Sequence, residues 1–386
     1  MNAPGHHAML PHPDHDETAR QEWVRTFRQH LATRVAPGVA AVYERRVLPR
    51  FRAQHQREPA DRHEIRREML QDGYHQFWSA LQRRSQELMW DTLADTVERE
   101  HDALVSRAKA LSADGPGSLE LDPDLDIPTY HAAVDIHLQP GGYHSEFAPD
   151  DVAAGALYDA ALPIYLAGAL GPENDLLGRT LAGFLAHHAP EFEPRRMLDM
   201  GCAIGNSTLP WCRAWPEAEV HAIDVGAPVL RYAHARAVAL GARVHFSQQN
   251  AERTRFDDAS FDLVVSHIML HETSRAALPR ILAECHRLLR PGGLMLHMEI
   301  PRGGTPFEQF MLEWETYNNN ERFAGYMTDA DLPRLAASAG FDATDCTMER
   351  ASLGMSTEQK SYGAGDFSFP VLVARKASAD AERQRA

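Results

Sequence analysis

The segment RRMLDMGCAIGNSTLP, residues 195–210, decides how the chain is read. The run Met197–Met200 carries Asp199 and leads at once into Gly201, Ala203 and Gly205. A short apolar run closed by a bend of small residues reads as a buried strand opening onto a ligand edge, because open parallel sheets bind ligands beyond the carboxyl ends of their strands. Small side chains in the bend let the backbone approach what is bound. A dinucleotide site calls for glycine at 201, 203 and 206, whereas this chain has Gly201, Ala203 and Asn206. An acid beside the bend also suits a cationic ligand better than a pyrophosphate.

Working outward, short apolar strands alternate with amphipathic helices from residue 195 on. Strands are predicted at Met197–Met200, Val220–Asp224, Val244–Phe246, Asp262–Ser266, Leu294–Ile300, Ala343–Met348 and Pro370–Arg375. The alternation predicts an α/β fold, a Rossmann-like doubly wound sheet of seven strands. One crossover helix starts at Pro228 and ends before Gly241; another stops at Pro291-Gly292-Gly293; a third is expected from Thr328, with Asp331 three residues on, to Gly340.

Upstream, Ile65, Met69, Gly73, Phe77 and Leu81 recur at a four-residue step, one face of a helix. Residues 18–126 are therefore read as an α-helical N-terminal domain, closed by a linker at 112–126 where Gly, Pro, Ser and Asp cluster. Residues 127–190 form a pocket-covering segment and connecting helices, with Pro163 expected to kink the helix of 151–170. Residues 191–386 form the ligand-binding domain, with a hairpin excursion at 351–368. Residues 1–17, with His6, His7, His12 and His15 among prolines, read as a disordered tail.

With 54 acidic against 39 basic residues the chain carries a formal charge of −15, which argues against a nucleic-acid partner. No apolar run of roughly 20 residues and no secretory signal is visible, so a cytoplasmic protein without membrane contact is expected. Cys202, Cys212, Cys285 and Cys346 include no CxxC pair and read as free thiols.

Four segments carry a family resemblance. They are D-x-G-x-A-x-G over 199–205, Asp224 closing the second strand, Asn250-Ala251-Glu252 after the third, and FDLVVSHIMLHE (261–272) with AECHRLLRPGGLMLHMEI (283–300). In this order they resemble the class I S-adenosylmethionine-dependent methyltransferases with a type 11-like core. The resemblance implies a last strand that is antiparallel and inserted beside the fifth, and S-adenosylmethionine as cofactor. It implies cofactor contacts at Asp199, Gly201, Ala203, Gly205, Asp224, Asn250, Ala251, Ser266 and His267. Asp224 would take the ribose hydroxyls and the Asn250 oxygen would face the adenine amine.

The pair His271-Glu272 is similar to the His-Asp step of small-molecule O-methyltransferases, which implies His271 as general base beside Glu272. An imidazole with an ordinary pKa of ~6.5 suits that task. A pocket-wall or capping histidine is the alternative. His267 and His271, four residues apart, could also ligate a metal, but no third ligand can be named beyond loose candidates at His137 and His144, so no metal is assigned. The fourth-strand segment lacks the Asn/Asp-Pro-Pro-aromatic stretch of base N-methyltransferases. The expectation is a methyltransferase acting on a small organic acceptor, on oxygen. N- or C-methylation by proximity, and a non-catalytic cofactor-binding partner protein, are the alternatives. The stretches 128–147 and 301–327 are expected to be irregular loops covering the site, with Tyr143, His144, His137, Trp314, Tyr317 and Asn318 as substrate contacts. The helical domain would add part of the pocket and a homodimer interface.

Overall fold

The computed structural model describes residues 7–355 and 367–378. Eight strands form one sheet: β1 (Ser118–Glu120), β2 (Arg196–Met200), β3 (Glu219–Asp224), β4 (His245–Gln248), β5 (Phe261–His267), β6 (Leu289–Met298), β7 (Cys346–Ser352) and β8 (Ser368–Arg375). Their order is β1-β4-β3-β2-β5-β6-β8-β7. β1 to β6 pair in parallel, and β8 lies antiparallel between β6 and β7.

The sheet is covered on both faces, and the pleat explains how. Leu263, Val265, Leu294, Leu296, Val371 and Val373 join one buried cluster, while their neighbours Val264, Met295, Leu372 and Ala374 join another. Alternate residues of each strand thus feed opposite layers, which is why the strands read as unbroken apolar runs.

The helices are α1 (His15–His30), α2 (Ala36–Val42), α3 (Leu48–His55), α4 (Arg62–Met69), α5 (Gly73–Ala113), α6 (Thr129–Ala132), α7 (Ala153–Tyr165), α8 (Leu176–His188), α9 (Leu209–Ala214), α10 (Ala227–Ala239), α11 (Ala277–Leu288), α12 (Pro306–Asn318), α13 (Ala324–Asp329) and α14 (Leu332–Ser338). α5, started by the Asp72 carboxylate on the Tyr74 and His75 amides, runs 41 residues, about 60 Å. One buried cluster joins Met9 and Val24 to Trp90, Leu93 and Val97 of α5, Ala156 and Leu157 of α7, and Tyr232 and Ala235 of α10. The core therefore runs through the boundaries at 126 and 190 into the sheet domain.

Several elements differ from the sequence reading. The stretch 112–126 is no plain linker, since β1 lies inside it and makes the eighth strand. Gly117 sits at φ +92°, and a Cβ there would fall 2.1 Å from the Val244 carbonyl oxygen, so only glycine lets this edge dock on β4. The stretch 301–327 is helical: Thr305 caps α12 in a reciprocal pair with Glu308, and Pro306 opens the first turn. α14 begins after Asp331, whose carboxylate accepts from the Arg334 amide; Thr328 belongs to α13. The Pro291-Gly292-Gly293 turn is a register break inside β6, between the Phe261–Leu289 and Leu263–Leu294 pairs. From residue 7 the N-terminal segment is anchored, with His7 bonded to buried Asp159 at 3.0 Å and Met9 fully buried. Most of the 351–368 excursion lies outside the described residues. No described helix is long and apolar enough to cross a membrane.

Candidate active site

The carboxyl ends of β2, β3, β4 and β5 open onto two adjoining chambers. The first, about 130 Å³, is lined by Asp224, Val225, Gln249, Asn250, Ala251, Tyr130, His131, Met269 and Glu272 among others. The second, about 170 Å³, is lined by Gln86, Met89 and Trp90 of α5, Tyr158, Ala161, Leu162 and Tyr165 of α7, and Asp199, Cys202, Asn206 and Ser207 below. His137, Tyr143, Tyr158, Gly201, Ala203, His267 and Ile268 belong to both walls.

One edge of the first wall is set by the backbone after β2. Gly201 (φ +71°) and Gly205 (φ +70°) turn the chain after β2, and Ala203 adopts φ +45° between them. A Cβ at Gly201 would meet the Met269 side chain at 2.3 Å. Asp224 holds the bend from the next strand: its carboxylate accepts from the Ala203 amide (2.9 Å) and the Gly226 amide (3.0 Å). Each oxygen keeps a free lone pair toward the chamber. The Asn250 oxygen accepts from the Glu252 amide at 2.9 Å, so it is already occupied in shaping its own turn. His131 contributes a buried Nε2 with no hydrogen-bond partner among the described residues.

Asp199, almost fully buried, accepts from the Thr208 hydroxyl (2.6 Å) and from His267 Nδ1 (3.3 Å). The other His267 nitrogen accepts from Trp211 Nε1 at 3.4 Å. Ser266 and Gly205 line neither chamber; the Ser266 hydroxyl is buried against His297 Nδ1 at 2.7 Å.

His271 sits in the turn Leu270–Glu272 after β5 and is 2% exposed. Its Nδ1 donates to Glu299 at 2.8 Å, and Nε2 lies 3.4 Å from Glu272 and 3.9 Å from Glu321. Burial pushes this imidazole down, but Glu299 and Glu272 outweigh it and raise its pKa well above the usual range. His271 lines neither chamber, so the ready base expected there is a charged group one residue behind the wall. The residues that reach the wall are Glu272 and His137. His137 places Nε2 3.1 Å from Glu272 and Nδ1 3.2 Å from Glu321. Burial lowers its pKa, but Glu321 and Glu272 carry it up to about 10. Its carbonyl accepts from Trp90 Nε1 (2.7 Å) and Gln86 Nε2 (3.0 Å), which ties the helical half to the joint.

The remaining substrate candidates separate. Tyr143 lies at the joint, its ring edge-on to Tyr158 at 5.5 Å. His144 lines neither chamber; its ring lies tilted against that of His131, centroids 5.4 Å apart. Trp314, Tyr317 and Asn318 face a separate surface cleft between α5 and α12. Trp314 is buried there, bonded to Ser79; Asn318 accepts from the same hydroxyl, and Tyr317 is exposed. They missed the chamber because 301–327 folds as a helix packed on α4 and α5. Residues the sequence reading missed are Gln86, Met89, Trp90, Tyr158, Tyr165, Glu299 and Glu321. Burial holds the Tyr143, Tyr158 and Tyr165 phenols and the Cys202 thiol protonated.

The family model described as a methyltransferase domain matches residues 197–293. An uncharacterized methyltransferase of Synechocystis is 30% identical over 154 residues, 37% of this chain and 70% of its own length. The demethylmenaquinone methyltransferase of Thermus thermophilus is 31% identical over 34% of this chain and 63% of its own. The malonyl-[acyl-carrier protein] O-methyltransferase of Methylococcus capsulatus is 27% identical over 43% of this chain and 58% of its own. The chain thus spans about three fifths of the length of these last two relatives. Among solved structures, Haemonchus contortus phosphoethanolamine N-methyltransferase 2 with phosphomonomethylethanolamine and S-adenosylhomocysteine aligns over 57% of this chain and 58% of its own, at 18% identity and a TM-score of 0.43.

Proposed function

The chain belongs to the class I S-adenosylmethionine-dependent methyltransferases, and from that premise we propose that it methylates a small organic acceptor, on oxygen, in the second chamber. The carrying observation is the joint: an aromatic-lined chamber of about 170 Å³ shares Tyr143, His137 and Gly201 with the Asp224 chamber. That volume suits a small molecule better than a polymer strand.

The first chamber fits the cofactor. Asp224 offers two lone pairs to ribose hydroxyls, His131 Nε2 is buried without a partner among the described residues, and the bend admits a close ligand without presenting a phosphate site. Bound there, S-adenosylmethionine supplies an electrophilic methyl carbon on a sulfonium. Asp224, Asn250 and Ala251 would receive the adenosine end, and Gly201 and Ala203, which border both chambers, the amino-acid end, with Asp199 on the acceptor side of the bend. Trp90, Tyr158 and Tyr165 exclude water and hold the acceptor against the joint. Alignment of this kind is worth several kcal/mol, roughly 7–11 in the best cases. The acceptor hydroxyl would lie at Glu272 and His137; as its oxygen takes the methyl, its proton would pass to the Glu272 carboxylate, which His137 and His271 hold ionised beforehand.

The test is His271→Ala assayed against a panel of small hydroxyl compounds. Turnover should fall roughly 10²–10⁴-fold while cofactor affinity stays near wild type. An unchanged rate removes the step from the mechanism. A second reading, N-methylation by proximity alone, is favoured by both His271 nitrogens facing carboxylates and by aromatic faces suited to an ammonium. Transfer to amines but not hydroxyls, indifferent to His271→Ala, would establish it.

A further inference from the structure

Five ionisable side chains from four separate elements meet behind the joint: His137, His271, Glu272, Glu299 and Glu321. One ligand atom each from His271, Glu272 and Glu321 lies within 4.8 Å of the other two. The 3.4 and 3.9 Å separations from His271 Nε2 are too long for good hydrogen bonds, yet they are the spacing of ligands around a common centre. We propose that His271 Nε2, Glu272 and Glu321 form a divalent transition-metal site.

The surroundings are built as a metal's outer shell is. Glu299 holds His271 Nδ1 at 2.8 Å and is itself fixed by the Leu270 amide at 2.7 Å, so Nε2 is aimed at the carboxylates and gives up its proton when the ion binds. A carboxylate behind a ligating histidine sets its tautomer and raises its basicity. His137 bridges Glu272 and Glu321 and orients both. One imidazole with two carboxylates suits a borderline ion such as Mn²⁺, Fe²⁺ or Zn²⁺ better than an all-oxygen Ca²⁺ site. Three protein ligands leave positions open, and Glu272 faces the cofactor chamber. Glu321 also borders the surface cleft near Trp314 and Tyr317, a way in for the ion. His267 is no part of this set, being turned to Asp199 and Trp211. The site's use in catalysis, holding an acceptor oxygen at the joint, rests on the methyltransferase reading; its existence does not.

The experiment uses the full chain without an affinity tag, stripped with EDTA and titrated with Mn²⁺, Zn²⁺ and Mg²⁺ by calorimetry. One Mn²⁺ or Zn²⁺ per chain should bind, at least tenfold more weakly in Glu321→Gln and His271→Ala. Should a variant fail to fold, electron paramagnetic resonance of wild type with Mn²⁺ should show nitrogen coupling from one imidazole. No binding, binding equal in both variants, or no nitrogen coupling overturns the site; the last two would point to His7, His12 and His15 or to carboxylates alone. A parallel titration with S-adenosylmethionine separates this from the methyltransferase reading, because either can fail without the other.

Discussion

The two chambers share a joint but are made in opposite ways. The cofactor wall has an edge set by backbone, the 201–205 bend, the amides held by Asp224 and the turn shaped by Asn250, beside side chains such as Tyr130 and His131. The acceptor wall is side chain: Met89, Trp90, Tyr158 and Tyr165, delivered by α5 and α7. A backbone wall demands particular residues at fixed short spacing, whereas a side-chain wall demands only bulk at the right place in space. Substitutions in the first should therefore act on cofactor affinity, and those in the second on packing and acceptor choice.

Trp90→Ala tests the second wall hardest. Trp90 is 3% exposed in the cluster joining α5 to α10, so unfolding free energy should drop about 3–5 kcal/mol in urea titration, with cofactor affinity changed less than threefold if the fold survives. A large affinity loss in the folded variant would erase the distinction. Asp224→Ala attacks the other wall. It removes acceptors for two amides and for the ribose, and calorimetry should show adenosylhomocysteine bound roughly 100-fold more weakly, from charged hydrogen bonds worth about 1.5–3 kcal/mol each.

A pH effect should mark the outer support of the acceptor wall. Arg99 and the Asp14 amide hold Glu17 down at about 2, despite an upward push from burial. A lowered carboxylate stabilises the fold above its unfolded pKa, near 4.5, and the contribution is lost as pH falls toward 2. Glu17→Gln should flatten the decline in melting temperature across that window and leave cofactor binding at neutral pH untouched. The smallest effect is expected for Ala203→Gly. Relief of a left-handed alanine, about 1–2 kcal/mol, is offset by the greater freedom of unfolded glycine, so stability should shift by less than about 1 kcal/mol and affinity by less than twofold.

The same contrast explains what was legible in the sequence. The bend, Asp224 and Asn250-Ala251 stand in contiguous motifs, and the sheet strands announce themselves as apolar runs. Trp90 and Tyr158 look like any core positions on helices, since nothing local says which buried face meets a cavity. Glu321 closes the histidine–carboxylate cluster only because the turn after α12 brings it back beside His271, a contact without a sequence signal. α12 carries a readable start in Thr305-Pro306 and Glu308, but its aromatic and amide content matches that of a binding loop. β1 hid because a three-residue edge strand between Gly117 and Asp122 has the composition of a turn.

The cluster running from Met9 through α5 to α10 also bears on how the polypeptide is made. Ribosomes would release the first five helices well before residues 227–239 exist, a wait on the order of ten seconds at ~5–20 residues per second. During that interval Trp90, Leu93 and Val97 have Met9 and Val24 to pack against but lack Tyr232 and Ala235. Expression yield should thus depend on holding chaperones or slow growth temperature, and truncations ending before α10 should come out as aggregates.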